Sequence, residues 1–223
     1  MQLTEMNFYR QYPMMRPYVG KHFHSPNIPS LLLIGESHYL LKTSTQHLSA
    51  ETWYASSSDS LSEDEREWIH TGDVMKLALA NNFALPSHRC ILRNPLWEIN
   101  EYGPRYPDCR RVADDVAFYN FFLRPALEGD SLDVCDLDVR FANDAFRLHY
   151  EALKPTHIVF LSRHAQDYFH PSELPSVPVI TTPHPCSQWW NRVAQEYGNK
   201  RGRDILAEFV RTTNWPQSSP SVQ

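Results

Sequence analysis

The chain has 223 residues, 42% of them hydrophobic, which is enough apolar material for a sizeable core in one domain. No stretch approaches the roughly 18 to 20 consecutive apolar residues of a membrane span, and the N-terminus lacks the apolar segment of a signal peptide, so we expect a cytoplasmic protein without a membrane partner. The formal net charge is -5, but residues 51–73 alone carry -6, so the rest of the chain is close to neutral and compatible with a polyanionic partner.

The four cysteines show no Cys-x-x-Cys pair, so neither a zinc site nor an iron–sulfur cluster is indicated by their spacing. We expect reduced thiols that lie apart from one another, and we predict no metal and no cofactor.

In chain order, the proline-rich first 30 residues are expected to be extended over the domain surface. The apolar run Leu31–Ile34 predicts a strand that is buried on both faces, as central parallel strands are. Ser62 and Glu65 have the spacing of a capping box, which predicts a helix start, and a second helix is predicted from Asp73 to about Asn82.

In the second half of the chain, an aromatic run predicts a strand that ends near Asn120. Helical spacing continues over 138–153 until Lys154-Pro155 ends it. Strands are predicted within 156–162 and 177–182, and a closing amphipathic helix within 201–213. This order predicts one α/β domain over residues 1–215, with helices on both faces of a mostly parallel sheet, and a disordered tail at 216–223.

Polar residues gather where the predicted strands end, at 35–39, 162–164 and 183–191. Ligands of parallel sheets bind at the carboxyl ends of the strands, so these segments are the candidate site. His184 lies between two prolines, which restricts its backbone and directs its imidazole. We therefore expect this ring to face a ligand.

Taken together and in order, these segments resemble the uracil-DNA glycosylase superfamily over roughly residues 17–210. The similar motifs are Gly-Glu-Ser-His-Tyr at 35–39, the aromatic strand ending in Asn120, Leu-Lys-Pro before the strand at 157, Val-Pro-Val-Ile, and His-Pro-Cys-Ser at 184–187. The resemblance implies a three-layer αβα sandwich with a central, mostly parallel four-stranded sheet and a base-sized pocket at one edge. It also implies DNA, single-stranded or with a flipped base, or a free nucleobase or nucleotide as partner.

The resemblance further implies roles for individual residues. Asn120 matches the asparagine that reads the base, and His184 matches the histidine that donates to the base oxygen as charge develops there. Tyr39 matches the tyrosine that excludes a thymine methyl, and Gly35, the first residue of the same motif, is counted among the substrate-binding residues. Ser187 would grip a phosphate, and Gln188 or Trp189 would enter the base stack.

The chain departs from the family pattern at one chemically important position. Ser37 stands where the most active branch has a water-orienting aspartate, and a neutral hydroxyl supplies no negative charge to a cationic sugar. Glu36 is the nearest carboxylate, although adjacent residues of a strand point to opposite sides. The candidate catalytic residues are therefore Glu36, Ser37 and His184, for a glycosylase that slowly hydrolyses the bond to uracil or another damaged base. The alternative on the same scaffold is a non-catalytic module that binds a nucleobase or nucleic acid.

Other interpretations of the same residues stay open at this point. The segment 35–39 is also compatible with a helix-capping turn, Asn120 and His184 with hydrogen-bonded packing roles, and Trp189 with a core pair formed with Trp190. Gly-Glu-Ser-His-Tyr is also close to the G-x-S-x-G motif of serine hydrolases, with Ser37 as the nucleophile and His184 as the base. That alternative would need Asp136 or Asp138 as the third member of a triad.

Overall fold

The computed structural model describes residues 7–85, 89–170 and 177–215. The α-helices in these ranges are α1 (Phe8–Gln11), α2 (Ala50–Ala55), α3 (Glu63–Trp68), α4 (Thr71–Ala80), α5 (Asn94–Tyr102), α6 (Asp136–Leu153), α7 (Arg163–Asp167) and α8 (Gly202–Thr212). The strands are β1 (Tyr18–Val19), β2 (Leu31–Gly35), β3 (Tyr39–Leu40), β4 (Val116–Asn120), β5 (Ala126–Leu127), β6 (His157–Phe160) and β7 (Val179–Thr181). The predicted tail at 216–223 lies outside the described residues.

The main sheet has the strand order β1-β4-β2-β6-β7. The last four of these strands run parallel, with Gly35 opposite Asn120 and Ile34 opposite Phe160, whereas β1 pairs antiparallel with β4. The prediction of a mostly parallel sheet is confirmed, but the sheet has five strands rather than four. The additional strand, β1, directly follows Pro17 and has only two residues. A strand of this length is too short to show an alternating pattern in the sequence. A separate two-stranded sheet pairs β3 with β5 in parallel.

The central strand β2 is buried on both faces, because alternate residues enter two different cores. Leu31 and Leu33 pack with residues of α4, α5 and α8, while Leu32 and Ile34 pack with residues of α6 and α7. Helices therefore cover both faces of the sheet, as the sequence predicts.

The expectation that the first 30 residues lie over the surface is wrong for several of their large side chains. Phe8, Tyr9 and Tyr12 are at most 1% exposed and form a third core with Trp53 of α2. The Tyr12 and Trp53 rings stack at 4.4 Å, and the Tyr12 hydroxyl donates to the Trp53 carbonyl at 3.0 Å. Phe8, Tyr9 and Tyr12 precede the first proline, Pro13, and supply apolar area that drives burial.

The predicted helix signals are found at the expected places. Ser62 and Glu65 form a reciprocal capping box at the start of α3, and α6 ends at Lys154, which adopts a left-handed conformation directly before Pro155. Helix α5 is not predicted by the sequence pattern, although Pro95 occupies a favourable position in its first turn. None of the helices in the described ranges is both long and apolar enough to cross a bilayer.

Candidate functional site

The candidate site lies at the point where the strand order of the sheet reverses. After β2, the chain adds β4 on one side of it and β6 on the other. The carboxyl ends of strands diverge into a crevice at such a switch point, which is where ligands of open α/β sheets bind. Glu36 directly follows β2 at this point, and Ser162 follows β6 by two residues.

Glu36 is a buried carboxylate held by a hydroxyl from the neighbouring strand. The residue is 7% exposed, and its Oε2 accepts a hydrogen bond of 2.6 Å from the Ser162 Oγ. That same oxygen of Ser162 accepts the backbone N–H of Ala165 at 3.3 Å and thereby caps α7. Because the hydroxyl oxygen is occupied as an acceptor, its proton is directed to Glu36.

The hydrogen bond and the burial of His184 indicate which of its two ring nitrogens carries the proton. Burial lowers the pKa of His184, and the nearby Glu36 opposes that shift only in part, so the neutral ring is favoured at pH 7. Its Nδ1 accepts the backbone N–H of Cys186 at 3.2 Å. In a neutral imidazole the other nitrogen then carries the proton, which makes Nε2 a hydrogen-bond donor.

Tyr39 is another predicted site residue that lies near Glu36. It is half-buried at the start of β3, and burial, Glu36 and Cys186 all raise the pKa of its phenol. Glu36 and Cys186 therefore lie near enough to Tyr39 to act on its phenol electrostatically. That Glu36, Tyr39 and His184 line one pocket stays a prediction.

Asn120 lies directly over Gly35, its partner in the register between β4 and β2. A Cβ atom on Gly35 would come within 2.2 Å of the Asn120 Oδ1 and 3.2 Å of the Phe118 ring. The glycine therefore makes room for the amide at the strand end. Among the described residues, no hydrogen bond joins Asn120 to His184.

The two residues after Glu36 are both buried but differ in their hydrogen bonding. Ser37 is 6% exposed, and its Oγ has no hydrogen-bond partner within the part of the chain that the structure describes. His38 is 8% exposed and its Nε2 lies 3.0 Å from the Thr71 Oγ1, which ties the strand end to the start of α4. Burial, reinforced by His70, lowers the pKa of His38 to about 4 despite a hydrogen bond to the Trp68 backbone. The sequence pattern does not predict that His38 connects the end of β2 to the start of α4.

The residues that follow Cys186 differ from one another in burial and in hydrogen bonding. The Ser187 Oγ is buried and has no partner among the described residues, whereas Gln188 is exposed and accepts a hydrogen bond of 3.0 Å from Arg192. Trp189 is half-buried, and Trp190 is 2% exposed and belongs to the core under α8. Trp189 is therefore the more exposed of the two tryptophans, and its insertion into a base stack stays a prediction.

The expectation that all four cysteines lie apart is wrong for one pair. The Cys186 thiol hydrogen-bonds to Cys90, on the turn before α5. Although Cys186 is exposed as a residue, the packing of its sulfur and the neighbouring Cys90 raise its pKa to about 12. All four cysteines are free thiols. In the described ranges, no group of three or more His, Cys, Asp or Glu side chains is arranged to hold a metal ion.

A different concave feature lies at the opposite edge of the sheet. This open cleft of about 810 Å³ is lined by Pro26, Asn27, Ile28, Pro29, Thr156, His157, Thr212, Thr213, Asn214 and Trp215. The lining contains no carboxylate or cationic Lys or Arg side chain, and it lies at the amino ends of β2 and β6. We therefore place the candidate site at the carboxyl ends, where the buried carboxylate and the directed imidazole are found.

Comparison of the chain with known protein families and with curated proteins finds no match.

Proposed function

We propose that this protein binds a nucleobase extruded from a single strand of DNA and slowly hydrolyses its bond to the sugar. The observation that carries the proposal is that Glu36, a buried carboxylate oriented by Ser162, lies near His184, a neutral imidazole whose Nε2 is a donor. Breaking an N-glycosidic bond leaves negative charge on the base and positive charge on the sugar. A donor and a carboxylate are the two groups that stabilise those charges.

The base-binding part of the proposal involves three residues. The Asn120 amide offers a donor and an acceptor to a pyrimidine edge, and the His184 Nε2–H would donate to the base oxygen. Tyr39 would form a wall of the pocket and restrict the size of the base. These interactions resemble those of the uracil-DNA glycosylase superfamily, which is why uracil is the first base to test.

The catalytic part assigns Glu36 the charge that Ser37 lacks. Glu36 lies beyond the last residue of β2, so the strict alternation of a strand does not fix the direction of its side chain. The Ser162 hydroxyl holds the carboxylate in place, and a water near it would be oriented towards the sugar. The unpartnered Ser37 hydroxyl is available to hydrogen-bond the same water or the substrate.

The serine hydrolase alternative receives no support from this geometry. A nucleophilic serine requires a base within hydrogen-bond reach, and the Ser37 Oγ has no partner among the described residues. The proposed aspartate Asp138 is instead fully buried and paired with Arg124.

The test is to incubate excess protein with a uracil-containing single-stranded oligonucleotide and to cleave abasic sites with alkali. We expect slow base release, reduced about 100- to 1000-fold by Glu36→Gln, since one electrostatic stabiliser is lost. Glu67→Gln, an exposed carboxylate on α3, is the matched control and should leave the rate unchanged.

Two further variants separate binding from chemistry. Asn120→Ala should weaken binding of the base, and Ser37→Asp should raise the rate by adding negative charge beside the sugar. If the wild type and Ser37→Asp both release no base but still bind the oligonucleotide, the protein is a non-catalytic binding module. If neither binds, the nucleobase proposal is wrong.

A further inference from the structure

The start of helix α5 is fixed beside the candidate site. The Asn94 Nδ2 donates a hydrogen bond of 3.2 Å to the carbonyl of Pro185, in the loop that carries His184. At the far end of the helix, Gly103 packs against Trp215, which lines the cleft at the opposite edge of the sheet. The first turns of α5 therefore lie at the same edge as the proposed base pocket.

An exposed aromatic ring and a cation stand together on these first turns. Leu96 and Ile99 bury the inner face of the helix at no more than 1% exposure, whereas Trp97 is 48% exposed. The guanidinium carbon of Arg93, one helical turn earlier, lies 5.2 Å from the centre of the Trp97 ring. Arg93 has no carboxylate partner in the described part of the chain, so its charge is available to a ligand.

The segment of the chain that carries α5 is basic in sequence although the protein as a whole is acidic. Residues 89–111 contain five arginines and three acidic residues, against a net charge of -5 for the whole chain. Two of those acids are already paired, Glu98 with Arg203 and Asp108 with Arg110. The remaining acid, Glu101, follows Trp97 by one turn, so the favourable surface ends there.

We propose that Arg93 and Trp97 form a platform for the nucleotides that flank the bound base in a single-stranded nucleic acid. This inference rests on the proposed function, and it adds the surface that holds the rest of the strand. A base that is not paired stacks on the exposed indole, and the guanidinium contacts a neighbouring phosphate. A duplex offers no free base face to the ring, so the platform favours single strands.

The experiment measures binding of a fluorescent 12-nucleotide oligothymidine with one central uracil by anisotropy, at several salt concentrations. Trp97→Ala should weaken binding about 5- to 100-fold through the loss of one stacked base, while Trp97→Phe should retain most of the affinity. Arg93→Ala should weaken binding and reduce the slope of log affinity against log salt by about 0.7. Trp68→Ala is the matched control, because Trp68 is 41% exposed on the acidic helix α3 and should have no effect.

Binding of free uracil is measured in parallel and should not change in any of these variants. If the wild type binds the oligonucleotide and Trp97→Ala binds it equally well, the platform is wrong while the proposed function stands. The same conclusion follows if Trp68→Ala weakens binding as much as Trp97→Ala does. If the wild type binds no oligonucleotide, the proposed function fails and the platform with it, whether or not free uracil binds.

Discussion

The hydroxyl of Ser162 donates a 2.6 Å hydrogen bond to the carboxylate of Glu36 across the junction of β2 and β6. Both residues are at least nine-tenths buried, so the carboxylate has few other positions to adopt. Since the same hydroxyl caps α7, the orientation of Glu36 is coupled to a helix start. Ser162 is thus a positioning residue for the proposed chemistry.

Variants of Ser162 should separate positioning from capping. Ser162→Ala removes the donor, and we expect base release to slow about 10- to 100-fold while affinity for the oligonucleotide is retained, because a displaced carboxylate reacts poorly. Ser162→Thr keeps the hydroxyl and should restore most of the rate. Ser162→Gly keeps an acceptable N-cap residue but lacks the donor, so it should be as slow as Ser162→Ala while costing only a few tenths of a kcal/mol of cap energy. A rate that follows thermal stability rather than the presence of the hydroxyl would contradict this assignment.

Gly35→Ala should impair base recognition more than it impairs folding. The new methyl group would lie 2.2 Å from the Asn120 Oδ1, and the end of that side chain is free to rotate away, whereas the Phe118 ring at 3.2 Å has to yield only slightly. We expect uracil binding to fall to the level of Asn120→Ala, with a loss of unfolding free energy of about 1 kcal/mol. Titration calorimetry and chemical denaturation measure the two quantities.

Gly72→Ala is the matched control for that substitution. The added Cβ would meet only the His70 ring at 3.6 Å, an ordinary contact, and alanine favours the helix in which Gly72 lies. Binding should be unchanged and stability equal or slightly higher. Unchanged binding in Gly35→Ala would show that the Asn120 amide does not read the base.

The sequence predicts the parallel strands β2, β4 and β6 well because each is mostly apolar, and burial on both faces requires such runs. It fails for β1, β3 and β5, which have two residues each and whose pairing is decided by distant neighbours. The same limit applies to the site. Glu36 and Ser162 are both visible as polar residues at strand ends, but their hydrogen bond joins residues 126 positions apart, and no local pattern encodes that distance.

The buried ion pair between Arg124 and Asp138 should be essential to stability. Arg124 donates to both carboxylate oxygens, at 2.9 and 2.6 Å, and to the carbonyls of His47 and Asp133, while Tyr54 donates to the same carboxylate. Arg124→Met leaves Asp138 buried without its cation, and we expect the free energy of unfolding to fall by about 3–5 kcal/mol in urea denaturation.

The double variant Arg124→Met/Asp138→Leu distinguishes the pair from general packing. It removes both charges, so it should recover a large part of the lost stability. Lys76→Met, which breaks an exposed pair with Asp73, should change the denaturation midpoint little. A double variant no more stable than Arg124→Met would indicate that the carbonyl and Tyr54 contacts, rather than the unpaired charge, account for the loss.

The interior histidine His149 should make the fold sensitive to acid. It is fully buried between the rings of Tyr9 and Tyr119, and burial lowers its pKa to about 3. An unfolded histidine takes up a proton near pH 6.5, whereas the folded one does not, so stability is lost as the pH falls from about 6.5 towards 3. Between pH 6.5 and pH 5 this residue alone should remove about 1.6 kcal/mol, since stability falls by about 1.4 kcal/mol per pH unit well below the unfolded pKa and half as steeply at that pKa. His149→Phe should therefore flatten the dependence of unfolding free energy on pH by that amount, whereas His24→Gln, at an exposed position, should leave its slope unchanged. Urea denaturation at a series of pH values measures both, and an undiminished slope in His149→Phe would mean that other groups, with His38 the first to test, account for the acid sensitivity.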